Sequence, residues 1–316
     1  MQFALPPRRA SHSPYPRSSP SSSLRRRQLK SFAILACVVI SILFLFTRLL
    51  SSDSSSDGIV TGGPKVVIVT VLDEQKLSDK HIQRIKQNRE DYAERHGYVN
   101  FFASTSEYAP LVGNYPRTWA IVPAMRHALT LYPGSQYFFH LSPHAMITNP
   151  TLSLTSHVLD KHRLERLMIK DTSVVPPDSV IKTFSHLAGN DVDLVITQDG
   201  EDLVPDSFII RKSEWASFFL DSWFDPLYRS YNFAKAEKHA LDHIIQWHPT
   251  LLAKLALVPQ RVMNAYSVNS KPIGRDGLYQ DNDFIINFAG CEYRGKTNCE
   301  TEMEPYFAKW TSQYQG

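Results

Sequence analysis

Residues 65 to 72 carry an almost unbroken β-branched run, Val66-Val67-Ile68-Val69-Thr70-Val71. Apolar residues without alternation are the pattern of a strand covered on both faces. The period then changes. From Asp79 to His96 apolar residues recur at Ile82, Ile85, Tyr92 and Ala93, which predicts a helix with Ser78 as its N-cap and Gly97 just past its end. A second helical pattern covers Thr118–Leu131, with Pro123 implying a kink or a later start. A central strand is expected over Gln136–Leu141. Its stretch, YFFHLSPHAMITNP from Tyr137 to Pro150, breaks at Ser142-Pro143-His144 and resumes at Ala145-Met146-Ile147. Residues 151–190 read as irregular with some helix. Further strands are expected at Asp193–Thr197, Ser207–Ile210, Leu255–Val258 and Phe284–Phe288. Helices are expected from the Ser213 cap through Trp223 and over Lys235–Trp247. Strands alternating with helices predict a doubly wound α/β domain over 65–316, with ligands bound outside the carboxyl ends of its strands.

The N-terminal part follows another pattern. Residues 1–30 are rich in Ser, Pro and Arg and read as a disordered basic tail. Residues 31–50, SFAILACVVISILFLFTRLL, contain 17 consecutive uncharged residues up to Thr47, near the lower length for a spanning helix. Positive charge precedes the span and SSDSSSDG follows it, which places the N-terminus in the cytosol and the bulk in the lumen. A cleaved signal peptide is the alternative, set against it by a long n-region and the lack of an Ala-x-Ala-like site. The retained anchor implies a single-pass type II protein. A short span suits the thinner membranes of the ER and Golgi. Residues 51–64 read as a flexible stem.

Charge changes the picture once it is divided. Eight of the 34 Lys/Arg lie in residues 1–50, leaving 26 against 31 Asp/Glu in the remainder, a net of −5. Bulk electrostatics therefore argue against a nucleic-acid partner. Cys291 and Cys299 stand eight apart around a turn at Arg294-Gly295. A lumenal compartment favours a disulfide between them, and two free thiols are the alternative.

Several blocks share one resemblance. They are Asn88-Arg89 with Tyr92-Ala93 and Arg95-His96-Gly97-Tyr98; Trp119-Ala120 with Pro123-Ala124; and Phe208-Ile209-Ile210-Arg211 with Ser213-Glu214-Trp215. Ala240-Leu241, Gln246-Trp247-His248-Pro249, Val258-Pro259-Gln260 and Phe288-Ala289-Gly290-Cys291 follow in order. Together they resemble glycosyltransferase family 34, the fungal galactosyl/mannosyltransferase group, nearest to the α-1,6-mannosyltransferase subunits of the Golgi mannan polymerase. The resemblance implies a GT-A fold, a nucleotide-sugar donor of the GDP-mannose or UDP-galactose type, a mannan or N-glycan acceptor, and partner mannosyltransferase subunits.

In that family two Asp of a Leu-Asp-x-Asp-Ala motif and a later His share Mn²⁺. Here Leu141 and Ala145 match, while Ser142, His144 and Asn287 occupy the three ligand positions. A hydroxyl, an imidazole and an amide lack the charge that hard cations prefer. The family's Gln on the later helix is Lys238, and its Asn-x-Gly pair reads Val204-Pro205-Asp206. Ser142, His144, Lys238 and Asn287 are therefore the candidate donor-binding residues, with His144 or Lys238 offering a cation in place of the metal. A decayed site in a retained fold is the competing account, and it leaves a non-catalytic subunit of the same complex. Asp199 and Asp206, expected beside a strand end, are the acidic candidates for acceptor hydroxyls. His239 and His243 stand four apart on one helix with Asp242 between them; a metal face is the alternative, but a zinc-protease helix would need Glu where Ala240 stands, and the two read as a surface pair.

Overall fold

The computed structural model describes residues 65–177, 179–270, 276–293 and 298–314. The basic tail, the 31–50 apolar span and the 51–64 linker lie outside the described residues. Among the described residues no helix is long and apolar enough to cross a membrane.

The first strand, β1 (Val66–Leu72), is buried at all seven positions. It leads into α1 (Asp79–His96). The Ser78 side chain accepts from the His81 N–H there, and Gly97, at φ +67°, closes the helix in a conformation that costs glycine nothing. Then come β2 (Val99–Ser104), α2 (Ile121–Leu131), β3 (Tyr137–Leu141) and β4 (Ala145–Ile147). Residues 117–120 form a 3-10 turn before α2, so Pro123 falls in the helix's first turn, where a missing N–H costs nothing. The chain continues through α3 (Lys161–Leu167), β5 (Leu194–Gln198), β6 (Leu203–Arg211), α4 (Glu214–Trp223), α5 (Ala236–Trp247), β7 (Leu255–Leu257), β8 (Ala265–Tyr266), β9 (Ile285–Asn287) and α6 (Cys299–Tyr314).

Six strands make a mixed, mostly parallel sheet in the order β2-β1-β3-β6-β5-β7, and β4, β9 and β8 make a second, smaller sheet. Residues of β1 alternate between two layers. Val67, Val69 and Val71 pack with buried residues of α2, α4 and α5, while Val66 and Ile68 pack with Tyr92 and Ala93 of α1. Helices therefore cover both faces of the large sheet.

Two elements correct the sequence reading. β6 runs antiparallel to both β3 and β5. It begins at Leu203, four residues earlier than expected, which leaves only residues 199–202 to connect β5 to β6. So short a link makes a hairpin and cannot make a crossover. The second is α6, whose Met303, Phe307 and Trp310 pack on Leu72, Leu77, Ile82 and Ile85. Cys291 and Cys299, at its start, are joined by a disulfide with Cα atoms 5.0 Å apart.

The segment after β3 is pinned by side chains of α1. Arg89, entirely buried, donates to the carbonyls of Ser142 and Ala145 and to Asn88 Oδ1. Asn88 in turn bonds both the carbonyl and the N–H of Ile147, at 2.9 and 3.1 Å. Tyr92 Oη donates to the Leu152 carbonyl and accepts from the Leu154 N–H. His96 Nε2 lies 2.8 Å from the Pro150 carbonyl. Four residues spaced along one helix face thus fix the course of residues 142–154.

Candidate functional site

The chain turns at the carboxyl end of β3, and the small sheet docks there. Ser142 is 6% exposed, because its N–H donates to the Asp206 carbonyl at 2.7 Å and its hydroxyl accepts from the His144 N–H at 3.1 Å. Ser142 is thus a buried residue of the turn, and its hydroxyl holds the backbone of His144. His144 turns its Nε2 toward Glu292 Oε1 at 3.2 Å, and Lys76 stands 3.6 Å from the same oxygen. The hydrogen bond to His144 outweighs burial and pulls the Glu292 carboxyl down to about 2. The imidazole is therefore committed to a carboxylate of its own chain.

Asn287 sits opposite Ala145 in the β4–β9 pair and is entirely buried. Its Nδ2 donates to Asn264 Oδ1 at 3.3 Å, while its Oδ1 has no hydrogen-bond partner among the described residues. Asn264 Nδ2 reaches Thr197 Oγ1 and the Ser207 carbonyl, both at 2.9 Å. These two amides fasten the small sheet to the large one. The three positions that would hold Mn²⁺ in the family thus present a committed hydroxyl, an imidazole on a carboxylate and an amide, with a buried guanidinium behind the turn. They do not fit a hard divalent cation.

The second group lies at the β5–β6 hairpin and the start of α5. Asp199 Oδ1 accepts from the N–H groups of Glu201 and Asp202, both at 2.8 Å, and Oδ2 accepts from Tyr266 Oη at 2.8 Å. Lys238 Nζ is 3.9 Å from Oδ2. Burial alone would raise this carboxyl. Lys238 and the three donors overcome it and hold Asp199 below the ordinary carboxylate range. Lys238 also stands 4.0 Å from Asp202 Oδ2, an oxygen that ion-pairs with Lys235. Lys238 and Asp199 are therefore partners of one another.

Asp206 lies inside β6, three residues from its start and opposite the carboxyl end of β3, where its carbonyl accepts from the Ser142 N–H. Asp206 and Ser142 are joined through their backbones, and Tyr266, paired with Asn287 between β8 and β9, reaches Asp199. All six candidates thus belong to one polar network at the strand ends, in two clusters. His239 faces Asp202, whereas His243 belongs to an aromatic group with Tyr228, Tyr231, Phe233 and Trp247.

Two acids escaped the sequence reading. Glu237 is buried and accepts from Thr118 Oγ1 at 2.5 Å, and burial pushes its carboxyl up to about 7. Asp242 is buried on the same helix and is likewise pushed up to about 7 by burial. Glu237 falls on the apolar stripe of α5 with Ala240, Leu241, Ile244 and Ile245, and an acid at a stripe position is the signal that would have found it. Asp242 lies beside that stripe, about one turn from His239, and carried no such signal. Glu292 had no such signal, being 148 positions from its partner His144.

A family model described as the galactosyl transferase GMA12/MNN10 family matches residues 62–298. An uncharacterized alpha-1,2-galactosyltransferase of Schizosaccharomyces pombe is 34% identical over 67% of this chain and 56% of its own length. A probable alpha-1,6-mannosyltransferase of Saccharomyces cerevisiae, MNN11, is 29% identical over 78% of this chain and 62% of its own. The chain thus spans a little over half the length of these curated relatives. Among solved structures, a glycosyltransferase involved in the glycosylation of the major capsid of PBCV-1 aligns with a TM-score of 0.48 and 12% identity, covering 77% of this chain and 98% of that one.

Proposed function

The chain belongs to the galactosyl transferase GMA12/MNN10 family, and from that premise we propose that it serves hexosyl transfer from a nucleotide sugar to N-linked mannan, on a GT-A-type scaffold, within a multi-subunit complex. Mannose is the hexose of this reading by likeness to the probable alpha-1,6-mannosyltransferase MNN11 of S. cerevisiae, and galactose is the alternative that the alpha-1,2-galactosyltransferase of S. pombe supports. The apolar span at 31–50 supports anchorage in a Golgi membrane with residues 65–316 in the lumen. The observation that carries the proposal is the convergence of Ser142, Asp206, Asn287, Asp199 and Lys238 at the carboxyl ends of the sheet, where open α/β sheets bind ligands.

One feature of the geometry favours a second reading, a supporting subunit without catalysis. The two candidate donor-binding side chains that a diphosphate would meet already face carboxylates, His144 with Glu292 and Lys238 with Asp199 and Asp202. A donor would have to displace those carboxylates. The test is the double variant Ser142→Ala with His144→Ala in cells, set against deletion of residues 65–316. If the chain transfers sugar, the double variant assembles normally and gives glycans as short as the deletion. Full-length glycans from the double variant, with short ones from the deletion, would establish the supporting role and overturn the first reading. Full-length glycans from the deletion as well would remove both.

A further inference from the structure

Beyond Lys238, a further group of side chains meets on α5. His239 and Asp242 are three residues apart on this helix, about one turn, and so project from neighbouring positions on one face. Asp202, from the hairpin before β6, comes up against them. His239 Nε2 stands 3.8 Å from Asp202 Oδ1. One ligand atom from each of Asp202, His239 and Asp242 lies within 4.8 Å of the others.

A gap of 3.8 Å is too long for a hydrogen bond. It is close to the spacing of two atoms that share an ion: ligands at about 2.1 Å with a tetrahedral angle lie roughly 3.4 Å apart. Asp242 is 6% exposed, and its Oδ1 accepts from the Leu203 N–H at 2.9 Å. Its Oδ2 has no hydrogen-bond partner among the described residues. A buried carboxylate oxygen without a donor is costly, and native structures supply such atoms with a partner. We propose that Asp202, His239 and Asp242 form a divalent-metal site that takes Zn²⁺ in preference to Mn²⁺.

The preference follows from the donors. One imidazole and two carboxylates suit borderline Zn²⁺, and a site of this kind binds Zn²⁺ more tightly than Mn²⁺. The lysines nearby leave room for it. Lys235 and Lys238 both approach Asp202 through Oδ2, so Oδ1 stays directed at His239. Glu201 and Asp199 draw the same two lysines in other directions. A metal here would tie α5 to the β5–β6 hairpin, the two segments that carry Lys238 and Asp199. The site shares no residue with the Ser142, His144 and Asn287 positions and stands apart from the reading above.

The test is titration of the purified full chain, stripped of metal, with Zn²⁺ by calorimetry. Wild type should take up a tight equivalent in the micromolar range and melt at a higher temperature with Zn²⁺ present. His239→Ala should weaken that equivalent at least about tenfold, and Asp202→Asn, which keeps the shape of the hairpin, should do the same. Lys235→Ala, which frees Asp202 of a competing cation, should tighten it. The proposal is overturned if wild type shows no such equivalent, or if both ligand variants bind Zn²⁺ as wild type does.

Discussion

Tyr266→Phe is the sharpest probe of how the strand-end network is held. The substitution keeps the ring and removes only the hydroxyl that donates to Asp199 Oδ2 at 2.8 Å. Tyr266 is 3% exposed, so water does not replace the lost donor freely. Hydrogen bonds to charged groups contribute about 1.5–3 kcal/mol, and the shape-conserving change adds no cavity cost of note. Asp199 keeps the N–H groups of Glu201 and Asp202, so the expected loss lies toward the lower end, about 1.5–2 kcal/mol. Attribution to this bond comes from a double-mutant cycle with Asp199→Asn, read by urea unfolding of the full chain. The two changes should be non-additive by about 1 kcal/mol or more, because the second removes the charge that made the hydroxyl valuable. Additivity within about 0.5 kcal/mol would refute the idea that Tyr266 stabilises an ionised Asp199. An acceptor-binding role for Asp199 would then regain ground, since its carboxylate would be less committed to the fold.

Two further outcomes are expected. His140 and His81 are buried, and burial pushes them down to about 3 and about 4. Both stay neutral in the folded state while the unfolded chain protonates them below its ordinary value near 6.5. Their contribution is complete above that pH and lost as pH falls toward 4, while Glu237 and Asp242, pushed up to about 7, favour the folded chain as pH falls over the same range. The histidine part is therefore read as a difference: relative to wild type, His140→Leu should gain about 1 kcal/mol of unfolding free energy per unit below pH 6 in urea titrations at pH 7, 6 and 5, and an unchanged pH dependence would discount this histidine. Replacing Cys291 and Cys299 by Ser should cost about 2–3 kcal/mol in the chain-entropy account of a short loop, and unchanged denaturation midpoints would show that α6 docks without the bridge.

Legibility in the sequence divides by the range of the interaction. The strand and helix over 65–97 were legible because local chemistry settles them: a buried β-branched run, a Ser78 cap and a glycine at positive φ. The direction of β6 was not legible. It depends on where the strand begins, and Val204-Pro205-Asp206 reads as a break because proline supplies no ladder donor. Helix α6 was hidden by Pro305 in its interior, which outweighed the start signal of its acidic first turn; Glu300 there accepts from the N–H and hydroxyl of Ser78 and fixes the helix against α1. The partners of the candidate site residues were the least legible of all. Glu292 meets His144 and Tyr266 meets Asp199 only through tertiary packing.

Asn88, Arg89, Tyr92 and His96 show why scaffold and chemistry part company in this chain. Their positions on α1 fall on the buried face, and a polar residue on a buried stripe needs a partner. The partners are backbone groups of residues 142–154, so what α1 recognises is the path of the chain and no particular side chain. The turn after β3 can therefore keep its shape whether its side chains are carboxylates or the Ser142 and His144 found here. Conversely, an Arg89 variant would disturb the turn without touching any side chain of the candidate site. A residue pattern on α1 thus reports the fold of the strand end faithfully. The chemistry performed there has to be read from Ser142, His144, Asn287 and the carboxylates that face their neighbours.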